Sequence, residues 1–384
     1  MPDTATSSPV DSARLTQAYR SRQQRLQGCL AEHQIEGLLI SAPRDICYLT
    51  GFHGDESLAL VTDSGAWVIS DSRFEDELAL WADQATGAGI IMGIRHQLNE
   101  ALCDHLDREK IKRLGVQAES MTVAAMEELV RSLSPHGFGV TAVAGLISGM
   151  QRIKDETEIE LISHAIDIQQ RALGEALSLL KIGMTEHAFA AELEYAMRRL
   201  GASGPGFSTI VASGANSALC HHAADETPID AGVLLIDWGA AALGYNGDLT
   251  RTYAIGTMPS PLDEIYQIVL EAQLAGIAAC QPGVFCAEVD QAARQVIEEA
   301  GYGDQFIHGL GHGLGRQVHE GPYFNNLEVE TALEPGMVMT VEPGIYLPGI
   351  GGVRIEDDVL ITASGHRVLS DMKKELQVLE PGTV

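Results

Sequence analysis

Four carboxylates and one imidazole, Asp237, Asp248, His312, Glu342 and Glu356, constrain this chain more than any other feature, because the acids come as two pairs that each straddle a turn. The first pair lies in Val233-Leu-Leu-Ile-Asp237 and Asp248-Leu-Thr-Arg-Thr-Tyr253, apolar strand runs on either side of a glycine-punctuated turn. Antiparallel partners keep a constant index sum, so a fold near Ala242-Leu243 sets Asp237 opposite Asp248. The second pair lies in Val338-Met-Thr-Val-Glu342 and Val353-Arg-Ile-Glu356, around the breaker run Pro348-Gly-Ile-Gly-Gly352. A fold at Gly349 brings Glu342 face to face with Glu356. Side chains opposed across a ladder sit roughly 4.5 to 5.5 Å apart at Cβ, which suits two acids gripping one ion or bridging two. Together the five groups carry about four negative charges, the complement of two divalent cations. Without a cation, that much buried like charge raises carboxylate pKa values and costs stability.

A single acid beside a turn is ordinarily a solvated hairpin end. Two such pairs gain their meaning from the histidine run His308-Gly-Leu-Gly-His312-Gly-Leu-Gly-Arg-Gln-Val-His319-Glu-Gly-Pro322. Its glycines oppose a helix, so His308 and His312 are not spaced as in the helical zinc-protease pattern. In an extended chain His308, Leu310, His312 and Leu314 share one face, and the glycines admit a second backbone. No lysine follows the glycines, which disfavours a phosphate loop. Arg354 stands two residues before Glu356 on the same strand face. There it either orients that ligand or holds a substrate carboxylate bidentately. An oxygen-rich shell with one imidazole suits Mn²⁺, with Co²⁺ or Zn²⁺ as substitutes.

With these residues in view, the chain resembles the pita-bread metallopeptidases, and within them the Xaa-Pro peptidases, prolidase and aminopeptidase P. The resemblance is carried by Asp237 with Asp248-Leu-Thr-Arg-Thr, by the His308 to His312 glycine run with His319-Glu-Gly-Pro, by Val341-Glu342-Pro-Gly and by Arg354-Ile-Glu356-Asp. It runs from about Gln151 to the C-terminus. Ser41-Ala-Pro-Arg-Asp-Ile-Cys-Tyr48-Leu-Thr-Gly-Phe52 and Asp71-Ser-Arg-Phe74 resemble the family's N-terminal domain, which methionine aminopeptidases lack.

The resemblance implies an α/β chain whose C-terminal domain is a pseudo-twofold antiparallel sheet backed by helices. It implies that Asp237 chelates one ion, that Asp248 and Glu356 bridge two, and that His312 and Glu342 complete the second. Two ions about 3.5 to 4 Å apart share a bridging hydroxide and polarise a carbonyl, so the expected reaction is hydrolysis of the bond preceding proline in a small peptide. Glu342 is then the acceptor of the water's proton. His221, His308 and His319 match family positions for substrate and transition-state contacts: His319 for proton transfer or the oxyanion, His221 and His308 for pocket walls. A homodimer is implied in the same way. At Cys220 the family pattern commonly has proline, a departure that exposes the site to oxidants. Two alternatives stand beside the peptidase: an amidohydrolase acting on a small acylated metabolite, and a catalytically silent binding protein on the same fold. Creatine-cleaving members lack the full metal set.

The rest of the sequence agrees with a two-domain enzyme. At 384 residues the chain exceeds the size at which one core stops growing. A net charge of −28 argues against nucleic acid and anionic membrane partners. No apolar run approaches a membrane span, and the first ten residues lack the features of a signal peptide, so the expectation is a cytoplasmic protein with a disordered tail over 1–10. Six cysteines scattered without CxxC spacing read as free thiols. Alternating helix and strand signals over 11–147 give an α/β sandwich, with a boundary near Gly145 to Gly149 and the catalytic domain over 148–384. Within that domain, helices over 156–180 and 185–200 are echoed at an offset of 100 by 262–280 and 287–300, a sign of duplicated architecture.

Overall fold

The computed structural model describes residues 8–82, 86–94, 97–380 and 382–383. These fall into two compact units, Val10–Met150 and Gln151–Val384. The division comes slightly later than the glycines at 145 and 149 suggest, because the helix Leu146–Arg152 runs through Gly149. Most of the expected N-terminal tail lies outside the described residues; within the described part, Val10 is buried and Asp11 caps the first helix by accepting from the Arg14 N–H.

The N-terminal unit is built on a six-stranded mixed sheet in the order Ala88–Gly93, Gly65–Asp71, Leu58–Thr62, Gly37–Ile40, Arg113–Gln117, Gly139–Val143. Period-two alternation of apolar side chains feeds two cores, one on each face. Leu38, Ile40, Ala59, Val61 and Val68 join the first core with Leu26 and Ile46. Leu39, Leu60 and Ile69 join the second with Leu102, Leu106 and Leu129. Strands apolar on both faces need helices on both faces, and Ser12–Cys29 and Pro43–Thr50 cover one side while Leu98–Glu109 and Val123–Leu133 cover the other.

The C-terminal unit repeats one plan twice. Helices Glu156–Leu177 and Glu186–Arg199 back a sheet ordered Gln377–Leu379, Leu249–Ile255, Gly232–Trp238, Ile210–Ser213. Helices Leu262–Ala279 and Cys286–Glu299 back a second sheet ordered Glu320–Phe324, Gly311–Gly313, Val338–Val341, Asp357–Thr362, Gly365–Val368. The second helix of each pair has 14 residues and is preceded by a left-handed glycine, Gly183 or Gly283. The two sheets meet at a seam where the Glu356 N–H donates to the Thr250 carbonyl at 3.2 Å and the Thr252 hydroxyl donates to the Arg354 carbonyl at 2.9 Å.

The first hairpin corrects the expected register. Asp237 pairs with Thr250, and Ala242 pairs with Tyr245, so the turn is Leu243-Gly244 and Asp248 sits two residues from the position opposite Asp237. Both turn residues have positive φ, 51° and 81°, the requirement of a two-residue type I′ turn. That requirement, and not the midpoint between the acids, sets the fold point. A shift of two preserves the face, so Asp237 and Asp248 still point the same way as diagonal neighbours. The second hairpin has the expected register: Gly344 pairs with Arg354 and Val341 with Asp357, with Glu342 and Glu356 in the gap between the two paired stretches.

Leucine in a left-handed turn position is strained, and Leu243 is 43% exposed, so it gains little from packing. Leu243→Asn is expected to stabilise the protein by about 0.5 to 1 kcal/mol, read from the urea midpoint at unchanged slope.

Candidate metal centre

Asp237 is the penultimate residue of strand Gly232–Trp238, whose alternate residues Leu234, Ile236 and Trp238 are buried in the helix-backed core. Alternation therefore turns Asp237, with Leu235, to the opposite face. The other half supplies its ligands from strands pressed together by glycine. A Cβ on Gly311 would clash with the Thr340 carbonyl, and one on Gly309 would lie 2.6 Å from the Phe324 carbonyl oxygen. The expectation that these glycines admit neighbouring backbones is met, and His312 is carried into the site on the short strand Gly311–Gly313.

One cavity of about 290 Å³ is lined by Asp237, Asp248, His312, Glu342 and Glu356 together with His221, His308, His319, Arg354 and Cys220. Donor atoms of Asp248, His312 and Glu356 all lie within 4.8 Å of one another. His312 Nε2 is 3.3 Å from Glu342 Oε1 and 3.7 Å from Asp248 Oδ2. Its Nδ1 lies 3.1 Å from the Gly313 carbonyl, an acceptor that fixes the proton on Nδ1 and leaves Nε2 free for a metal.

A second layer holds these groups. The Thr250 hydroxyl donates to Glu356 Oε2 at 2.6 Å, the Thr340 hydroxyl donates to Glu342 Oε1 at 3.3 Å, and the Asp248 N–H donates to Asp358 Oδ2 at 3.1 Å. Arg354 grips Asp237 Oδ2 through Nη2 at 2.6 Å, and also donates to the Thr250 hydroxyl at 3.0 Å and the Tyr346 hydroxyl at 2.8 Å. Of the two roles open to Arg354, the geometry favours ligand orientation, and the ligand is Asp237 across the seam, with Glu356 reached only through Thr250. Tyr346 in turn lies 2.9 Å from His308 Nε2, and His308 Nδ1 lies 2.7 Å from the Gly309 carbonyl. His308, which lines the cavity, therefore has both ring nitrogens engaged. The His319 ring packs against His312 at 4.3 Å, centroid to centroid, with the two planes tilted by 54°.

Sequence reasoning missed Thr250, Thr340, Asp358 and Tyr346. The threonines carried a signal, since each stands two residues from a ligand in an apolar strand and so shares its face. Asp358, two residues after Glu356, carried the same signal, and Tyr346 carried none. The cysteines are free, as expected, with Cys47, Cys103, Cys280 and Cys286 buried and Cys29 and Cys220 half-buried.

Comparison with known proteins gives the family. Residues 160–363 match the model of metallopeptidase family M24, and residues 22–150 match the creatinase/prolidase N-terminal domain. This chain belongs to metallopeptidase family M24. An Xaa-Pro dipeptidase of Pyrococcus furiosus is 35% identical over 93% of the chain and 99% of its own length. A solved Xaa-Pro dipeptidase from Bacillus anthracis superposes with a TM-score of 0.88 at 35% identity, covering 94% of this chain and 100% of that one. An X-Pro aminopeptidase from Thermotoga maritima gives 0.85 at 34% identity, covering 93% and 99%. The pita-bread architecture and its creatinase-type N-terminal domain are thus those of solved relatives, and the chain is a metallopeptidase.

The electrostatics of this metallopeptidase fit divalent ions. Burial, then the neighbouring carboxylates, push Asp248 and Glu356 well above the ordinary carboxylate range. Burial likewise raises Asp237, against the opposing pull of Arg354. Glu342 is also penalised by burial, but His312 outweighs the penalty and holds it down. Asp237 Oδ1 is buried with no hydrogen-bond partner among the described residues, a lone pair that a cation would satisfy. A second group, Glu186, His222 and Asp225, also clusters its donor atoms. Both Glu186 oxygens there already accept hydrogen bonds, Oε1 from Ser213 at 2.6 Å and Oε2 from His222 at 2.6 Å, so that group is a hydrogen-bond hub.

Two outcomes follow. Raised folded-state pKa values mean that the metal-free fold holds protons that the unfolded chain has released, so these carboxylates cost stability as pH rises above the unfolded value of about 4. Added divalent metal must displace those protons. The gain in Tm on adding metal should therefore grow from pH 5 to pH 8, and titration calorimetry in buffers of different ionisation enthalpy should show net proton release. Arg354→Lys keeps the charge but loses the fork that reaches Asp237, Thr250 and Tyr346, and should weaken metal affinity or turnover about 10- to 100-fold, measured by competition with a chelating dye and by steady-state rates.

Proposed function

We propose that this metallopeptidase hydrolyses the peptide bond preceding proline, using two divalent ions held by Asp237, Asp248, His312, Glu342 and Glu356. The observation that carries the reading is the convergence of these five residues, four buried and Glu342 half-buried, in one cavity whose remaining wall includes Phe207, Ile210, Val318 and Phe324. The apolar side suits a pyrrolidine ring, and the volume suits a small peptide. The names of the relatives, Xaa-Pro dipeptidase and X-Pro aminopeptidase, support the same bond.

An Xaa-Pro bond is a tertiary amide with no N–H to donate, so a peptidase that reads the substrate backbone by that donor handles it poorly. Bound divalent ions supply Lewis acidity, lowering the pKa of water and polarising the carbonyl. The protein's own residues do the rest. Glu342, held ionised beside His312, accepts a proton from the attacking water. His319, kept neutral by burial and by the adjacent His312, donates a hydrogen bond to the developing oxyanion. His221 and His308 bound the pocket. Arg354 keeps Asp237 turned inward, and the Thr250 hydroxyl does the same for Glu356. Manganese is the proposed metal, since oxygen donors outnumber nitrogen.

The test combines metal content with substrate choice. Purified protein should bind two equivalents of Mn²⁺ and cleave Xaa-Pro substrates at least about 100-fold better than Xaa-Ala, with activity abolished by chelation and restored by Mn²⁺. Asp248→Asn should lose metal and about 10³-fold or more in kcat/KM. Metal binding without Xaa-Pro turnover would redirect the reading to another amide, and failure to bind more than trace metal would remove it. Rates on Xaa-Pro beside Xaa-Pro-Yaa separate dipeptidase from aminopeptidase.

A further inference from the structure

The three histidines assigned to substrate and transition state sit on loops, and each loop is pinned by a charged or carboxylate–histidine pair outside the cavity lining, two of the pairs buried and the third half-buried. Beside His221, the adjacent His222 donates from Nε2 to Glu186 Oε2 at 2.6 Å, and the two side chains are 7% and 0% exposed. Glu186, in the first turn of helix Glu186–Arg199, also accepts from the Ser213 N–H at 2.6 Å, from Asn216 Nδ2 at 3.1 Å and from the Asp225 N–H at 3.4 Å. One carboxylate thus gathers a loop spanning residues 213–225.

Beside His319, Glu320 forms an ion pair with Lys154 Nζ at 3.0 Å, with 7% and 2% side-chain exposure. The other oxygen of Glu320 accepts from the Gln317 N–H at 2.9 Å, so the turn leading into His319 is closed onto the chain just ahead of helix Glu156–Leu177. Around His308, Arg294 donates to the His308 carbonyl at 2.8 Å and to the Phe306 carbonyl at 3.1 Å, while its partner Asp290, 2.7 Å away, accepts from the Leu310 N–H at 3.0 Å. None of these six residues lines the cavity or offers it a donor atom.

We propose that Glu186 with His222, Lys154 with Glu320, and Asp290 with Arg294 are positioning pairs that fix the backbone of His221, His319 and His308, so that the peptidase's rate depends on contacts anchored to its helix layer. Burying a charged pair is rarely the most stabilising choice available to a core. Two such pairs, and a third whose aspartate is buried and whose arginine is 21% exposed, each one residue from a site histidine or bonded to its carbonyl, mark geometry as their use. The proposal rests on the Xaa-Pro reading for its kinetic arm alone.

The experiment uses the full chain loaded with Mn²⁺. His222→Ala, at the edge of its network, should raise KM for an Xaa-Pro substrate about tenfold or more with kcat within about twofold, because His221 bounds the pocket. Lys154→Met should instead lower kcat about 10- to 100-fold with KM little changed, because His319 acts on the transition state. His222→Gln and Lys154→Arg, which keep a donor in place, should restore wild-type constants to within about threefold. Metal content should equal that of wild type throughout. Independently of any substrate, amide exchange should accelerate at least about tenfold at 219–222 in His222→Ala and at 317–320 in Lys154→Met. Unchanged exchange in both loops, or a lower Tm with both kinetic constants unaltered in the folded fraction, would overturn the proposal. A wild-type enzyme without Xaa-Pro turnover would overturn the functional reading while the exchange result still decided this one.

Discussion

Like charge buried in one cavity is the condition on which the rest of this structure depends. Asp237, Asp248, Glu342 and Glu356 are drawn from two halves of the C-terminal unit into a single space, where desolvation and mutual repulsion raise the cost of every ionised group. Three devices keep them there. Hydroxyls of Thr250 and Thr340 bond one oxygen of Glu356 and Glu342. Arg354 neutralises Asp237 at 2.6 Å. His312 turns Nε2 inward against Glu342 and Asp248, and Glu342 favours the protonated ring there. What remains unmatched, including a buried Asp237 oxygen with no partner among the described residues, is what divalent ions would satisfy.

The seam between the halves turns that local condition into a fold requirement. Arg251, almost fully buried, donates to the Thr250 carbonyl at 2.9 Å and to the Glu356 carbonyl, and pairs with Asp357 at 2.8 Å. Its other donors reach the Met372 and Lys373 carbonyls, so the C-terminal segment is clamped over the two ligand strands. Asp357 also accepts from Gln273 at 2.7 Å and from Lys374 and Ser370. A site split between two halves is only as precise as their joint, and this joint is made of charged hydrogen bonds that would leave several partners unpaired if one were removed, at a cost of about 3 to 5 kcal/mol.

Much of this was legible beforehand because it rests on short-range rules. Alternating helix and strand signals gave the α/β character of the N-terminal unit, which the six-stranded sheet with a helix-covered core on each face matches. The short elements Pro43–Thr50 and Gly139–Val143 carry little periodic signal of their own. The former begins at a proline within a motif read as a family signature, and the latter alternates too weakly to stand out. The register of the first hairpin was misplaced for a related reason: a midpoint between two acids is not a turn, and the backbone's demand for positive φ at Leu243 and Gly244 decided the matter.

The sequence by itself determined which side chains could bind metal and on which face of each strand they lie, because a period of two and the punctuation of glycine are properties of the chain alone. The tertiary structure decided what those side chains touch. That Arg354 serves Asp237, 117 residues away, rather than Glu356 beside it, that Tyr346 links Arg354 to His308, and that Glu186 and Lys154 reach loops bearing other residues' chemistry, are consequences of two duplicated halves closing on each other. Contacts of that kind follow from how sheets and helices pack, and no local pattern of residues encodes them.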